Sequence, residues 1–135
     1  MNLEEKLIKT CDTEGVEGDI KIFFEPSSSA TIYLLDRDGQ KREFTGEDLF
    51  KSLKLLRVYF EGLNVKLLCN GSRIDVCPSG MSRSMGRGRK AYLLQLGSQA
   101  RMENLVDIFD YTPIDTVGTV VEQEQHFDRW AKSLK

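Results

Sequence analysis

Residues 30–63, ATIYLLDRDGQKREFTGEDLFKSLKLLRVYFEGL, carry the strongest local signals in the chain. Ala30–Asp36 is a β-branched and aromatic run, Asp38-Gly39 is the dipeptide a two-residue type I′ turn demands, and a strand over residues 40–44 follows. Pairing residues whose numbers sum to 77 sets Asp36 opposite Lys41 and Tyr33 opposite Phe44, so charge meets charge and ring meets ring. Thr45 with Asp48 three residues on then reads as a capping box with Asp in place of Glu. Leu49, Leu53, Leu56, Phe60 and Leu63 recur at steps of three or four, which predicts an amphipathic helix over about 46–61.

Working outward toward the N-terminus, Asp19–Glu25 is a second strand-like run, separated from the first by the loop Pro26-Ser27-Ser28-Ser29. Leu3, Leu7, Ile8 and Cys11 fall at helical spacing with Asn2 as a cap, so residues 2–12 read as a short helix broken by Gly15 and Gly18. Toward the C-terminus, Asn70-Gly71 predicts a hairpin in which Val65 faces Val76, Leu67 faces Ile74 and Lys66 faces Asp75. That register puts Cys69 and Cys77 on opposite faces, which argues against a disulfide between them. Pro78 stops the strand, 79–88 reads as a loop with room for one helical turn, Arg89–Leu96 as a strand closed by Gly97, and Asn104–Phe109 as a helical turn ended by Pro113. Thr119 starts a final helix with Val120, Gln123, Phe127, Trp130 and Leu134 near one side. Neither an internal repeat nor a linker is visible. The order predicts an α+β fold, a mostly antiparallel sheet of five to six strands with two to four helices, as a single domain over residues 1–135.

The 135 residues, 40% apolar, with 19 basic and 21 acidic side chains, are enough for one core without staples, since a chain of this size buries nearly ~70% of its unfolded surface. Met1-Asn2-Leu3-Glu4-Glu5 places acid where a secretory signal needs positive charge, and no apolar run approaches the ~18 residues of a membrane span. Cys11, Cys69 and Cys77 form neither a disulfide framework nor a zinc ribbon and read as three small buried or half-buried hydrophobes. A reducing cytoplasm, with no membrane partner, is the expected setting.

Chemical signals are few. His126, the one histidine, lies among Gln123, Glu124, Gln125 and Asp128 and reads as a solvated helix residue. Asp36-Arg37-Asp38-Gly39 lacks the downstream ligands of a calcium loop, and no His or Cys spacing suits another metal. Gly86-Arg87-Gly88 precedes a strand, whereas a phosphate cradle follows one, and Ser82 and Ser84 lack a nucleophile elbow. Catalytic, metal and cofactor residues are therefore all read as none, and the chain as a non-enzyme.

Charge layout says more. Residues 1–75 carry net −3 and residues 103–135 net −4, whereas residues 76–102 hold Arg83, Arg87, Arg89, Lys90 and Arg101 without an acid. Three readings of this basic island stay open. It can bind a phosphate backbone through the 83–90 loop, although the domain is acidic overall and only Tyr92 lies near for stacking. It can recognise an acidic protein surface, or its arginines can pair with the acidic segments at the two ends of the same chain. The last segment, with Glu103, Asp107, Asp110, Asp115, Glu122, Glu124 and Asp128, is in turn suited to a basic partner such as a nuclease cleft.

Pro78-Ser79-Gly80-Met81-Ser82-Arg83, Gly86 to Gly88, Lys90-Ala91-Tyr92, Leu96-Gly97, Asn104 to Phe109 and Val117 to Gln123 are the residues that carry a likeness. Over about residues 64–134 the chain resembles small bacterial immunity proteins of polymorphic toxin and contact-dependent growth inhibition systems. The resemblance implies a cytoplasmic, non-enzymatic protein that binds the C-terminal domain of a delivered toxin, often a nuclease, and neutralises it by covering or distorting its active site. It implies no catalytic residue. Arg87 departs from the pattern at a position expected to be small. The candidate partner-binding residues are Arg83, Arg87, Arg89, Lys90, Glu103, Asp107, Asp110, Glu122 and Glu124, with a small nucleic-acid-binding module as the alternative function and the oligomeric state open.

Overall fold

Strand alternation, not helix periodicity, organises the N-terminus. In the computed structural model, which describes residues 3–25, 30–35, 38–77, 88–101 and 104–134, strand β1 spans Glu4–Asp12 where the sequence predicts a helix. It pairs antiparallel with β2 (Glu17–Phe24) from Glu4 opposite Phe24 to Cys11 opposite Glu17. Ile8 and Thr10 are buried while Leu7 is 57% exposed, so the inward residues of β1 are its even-numbered ones. Glu4 and Lys6 share that inward face, and their polarity hides the period of two from a hydrophobicity pattern.

Strands β3 (Thr31–Leu35) and β4 (Lys41–Thr45) continue the sheet. Their register differs by one residue from the expected one: Ile32 faces Phe44 and Tyr33 faces Glu43. The shift sends Phe44 inward, where its ring lies 5.7 Å from that of Tyr59, and leaves Lys41 4.4 Å over the Tyr33 ring. Helix α1 (Leu49–Glu61) starts later than predicted because the cap is Asp48, whose side chain accepts the Lys51 N–H at 2.8 Å. Thr45 belongs to β4 instead, and its hydroxyl bonds that of Thr31. The Ser52 hydroxyl, reaching the Ala30 carbonyl and the Gly46 N–H, fastens the helix to the sheet.

The chain then departs from the predicted hairpin. Strand β5 (Val65–Leu67) pairs with β1 and completes a five-stranded sheet of order β4-β3-β2-β1-β5. Asn70–Ser72 is a 3-10 turn, and β6 (Val76–Cys77) joins a second sheet of order β6-β7-β8 with β7 (Lys90–Leu93) and β8 (Leu105–Asp107). Asn70-Gly71 is an interior close approach, not an exposed turn: a Cβ on Gly71 would lie 2.3 Å from Leu53 Cδ2. Within residues 104–109, predicted as a helical turn, Leu105–Asp107 form β8, with Ala91 opposite Val106. The result is an α+β fold of eight strands in two antiparallel sheets, with two helices among the described residues.

One core joins both sheets. Ile8, Ile22, Phe24 and Ile32 pack with Leu49, Leu53 and Leu56 of α1 and with Val76, Ala91, Ile108 and Phe109. Helix α2 (Val120–Ser133) begins with a full capping box, Thr119 and Glu122 exchanging bonds at 3.1 and 2.8 Å. Buried Arg57 ties α1 to this end of the molecule, donating from Nη1 to the Gly71 carbonyl and Gln123 Oε1 and from Nη2 to the Gly118 carbonyl. Among the described residues no helix is long and apolar enough to cross a membrane.

Candidate functional site

Of the nine residues singled out by charge, Arg83, Arg87 and Glu103 lie outside the described residues. The others fall into two groups. Arg89 enters β7 facing the N-terminal strand, where Nη1 and Nη2 donate to the Glu4 carboxylate at 2.8 and 2.6 Å and Nε donates to Asp107 Oδ2 at 3.0 Å. Its guanidinium also sits 5.2 Å from the Phe24 ring centroid. Asp107 in turn accepts the Phe109 N–H through Oδ1 and has the Lys90 ammonium 3.9 Å from Oδ2. The bidentate bond to Arg89 holds the Glu4 carboxyl below its ordinary range and the guanidinium above its own. Asp110 pairs with Lys6 at 3.6 Å beside this cluster. Arg89 and Lys90 of the basic island are therefore turned onto carboxylates of their own chain, from the N-terminal strand and from the C-terminal segment.

The second group is on α2. Glu122 serves the capping box, and its hydrogen bonds from Thr119 keep its carboxyl below the ordinary range. Glu124, two residues on, has Lys54 of α1 at 3.8 Å. Between the two helices lies an open cleft of about 330 Å³. Val76, Gln123 and Phe50 line its buried side, the exposed Phe127 ring one wall, and Lys54, Glu124 and Asp128 carry its charges. Burial lowers the Lys54 pKa from its ordinary value, with Glu124 opposing that shift. Charge counting missed Phe50, Lys54 and Phe127, because nothing local says that two helices distant in sequence meet there. The spacing of Glu124, Phe127 and Asp128, three and four residues apart, was the available signal.

A wider groove of about 830 Å³ opens between the sheet and the C-terminal end of α1, lined by Ile20, Leu34, Tyr59, Leu63 and Arg42. His126 is half-buried where a solvated residue was expected, and its Nδ1 is buried without a hydrogen-bond partner among the described residues. None of the three cysteines is in a disulfide; burial pushes the Cys69 thiol up, away from the reactive thiolate. Among the described residues no group of three His, Cys, Asp or Glu side chains is arranged to hold a metal ion. No family model and no curated protein matches the chain.

Proposed function

We infer that the protein is a cytoplasmic, non-enzymatic immunity protein that binds the C-terminal domain of a bacterial toxin and neutralises it by covering its active site. The observation that carries this reading is the exposed surface of α2, on which the carboxylates of Glu124 and Asp128 lie between Phe127 at the cleft and Val121 (61% exposed) on the side turned from it. Exposed apolar groups ringed by acid suit a basic protein surface: the carboxylates steer the encounter and the apolar groups hold the complex once water is expelled. The helix presents them from a fixed position. Its N-terminus is capped and its Val120 N–H bonds Glu61, while Trp130 donates to the Ser98 carbonyl and the Gly97 N–H to Ser133 Oγ. Such preorganisation leaves less entropy to lose on binding.

The alternative, phosphate binding through the 83–90 loop, has less support, since Arg89 and Lys90 both lie within bonding or pairing distance of Asp107. The deciding experiment is co-expression with the toxin C-terminal domain encoded next to this gene, read as growth protection and as a one-to-one complex on purification. Protection with a stable complex supports the reading. Neither protection nor complex, together with RNA affinity that falls steeply with salt, would replace it with the nucleic-acid module.

A further inference from the structure

We propose that the cleft between α1 and α2 receives an arginine side chain from the basic surface of the toxin domain, with the guanidinium between Phe50 and Phe127 and its charge met by Asp128 and Glu124. The inference rests on the immunity reading and names the chemistry of the contact. Three features of the cleft converge on a cation. Phe50 and Phe127 line it, and ring faces attract positive charge, a flat guanidinium best of all. The chain already keeps a cation there: the Lys54 ammonium is 5.8 Å from the Phe50 ring centroid and 3.8 Å from Glu124. The cleft, however, is lined by two carboxylates and that single ammonium. Glu124 has Lys54, whereas Asp128, exposed on the rim, has no ion pair or hydrogen bond among the described residues.

The volume of about 330 Å³ is at the lower end of the range for ligand pockets, enough for one long side chain and not for a folded element. Phe127, 38% exposed with its ring 5.9 Å from that of Trp130, supplies the apolar surface on which the arginine stem is desolvated. The larger groove beside Tyr59 lacks this bias, since Asp19 and Asp38 on its lining are matched by Lys21 and Arg42.

The test uses the whole protein and the catalytically disabled toxin domain encoded beside it, with dissociation constants measured at two salt concentrations. Asp128→Lys and Phe127→Ala each weaken binding by about 30-fold or more, as a central hot spot does, while Lys21→Ala on the far sheet face leaves it within about threefold. Asp128→Asn also reduces the loss of affinity with added salt. Circular dichroism melting shows each variant folded, which exposed positions allow. Tight wild-type binding with Asp128→Lys and Phe127→Ala both within about threefold overturns the cleft and leaves the immunity reading standing. No wild-type binding at all overturns both.

Discussion

Arg57 is a buried cation whose hydrogen bonds run to neutral acceptors: the carbonyls of Gly71 and Gly118 and the amide oxygen of Gln123, at 3.1, 3.0 and 2.7 Å. Burial lowers its pKa, so the stability it contributes lies in satisfying those acceptors and filling space. The Gly71 carbonyl keeps a second donor, Gln123 Nε2 at 2.9 Å, but the Gly118 carbonyl and Gln123 Oε1 depend on the guanidinium. Arg57→Ala is therefore expected to cost about 3 kcal/mol, seen as a lower midpoint in urea unfolding. Gly71 is a different kind of constraint. A methyl group there would lie 2.3 Å from Leu53 Cδ2 and 3.2 Å from Ile108 Cβ, so Gly71→Ala should destabilise by about 1–3 kcal/mol. Shortening Leu53 in the same chain should recover part of that loss, a coupling a double-mutant cycle would measure. Neither residue was legible as a structural centre: an arginine in a charged stretch reads as surface, and Asn70-Gly71 reads as a hairpin.

Among the elements, those with both a cap and an apolar ladder were readable from sequence. Helix α2 has Thr119 and Glu122 in reciprocal bonds, and removing the hydroxyl with Thr119→Ala should cost about 1 kcal/mol in thermal or denaturant unfolding. Helix α1 was equally visible through Leu49, Leu53, Leu56 and Phe60, with only its cap misplaced by the nearby Thr45. Strand β1 was not visible. Its inward face runs Glu4, Lys6, Ile8 and Thr10, and what makes it a strand is its ladder with β2 on one side and its shorter pairing with β5 on the other. The residues of β5 and β6 were readable as strands, but they pair with β1 and β7 and not with each other, and β8, three residues long, read as a helical turn.

Across the whole molecule, Glu4, Arg89 and Asp107 form an ionic tie between the N-terminal strand and the second sheet, with Phe24 and Phe109 in contact beneath it at 4.7 Å between ring centroids. Because Glu4 is held below its ordinary value of 4.5, the folded chain binds fewer protons there than the unfolded chain. The stabilisation is complete above that value and is lost as pH falls through the lower folded pKa. Glu4→Gln should thus lower the melting temperature near neutral pH and flatten its decline in acid, a comparison that melting curves between about pH 3 and 7 would make. By itself, the order of residues determined the α+β class, both helices, the run of antiparallel strands after Gly18 and the acidic character of the C-terminal segment, because caps, apolar ladders and net charge are local quantities. Tertiary structure alone decided that the N-terminus is a strand, that residues 65–77 divide between two sheets, that Arg89 answers to Glu4, and that Phe50 and Phe127 share a cleft. Each of these is a meeting of segments that no local pattern couples, chosen by burial and charge pairing in three dimensions.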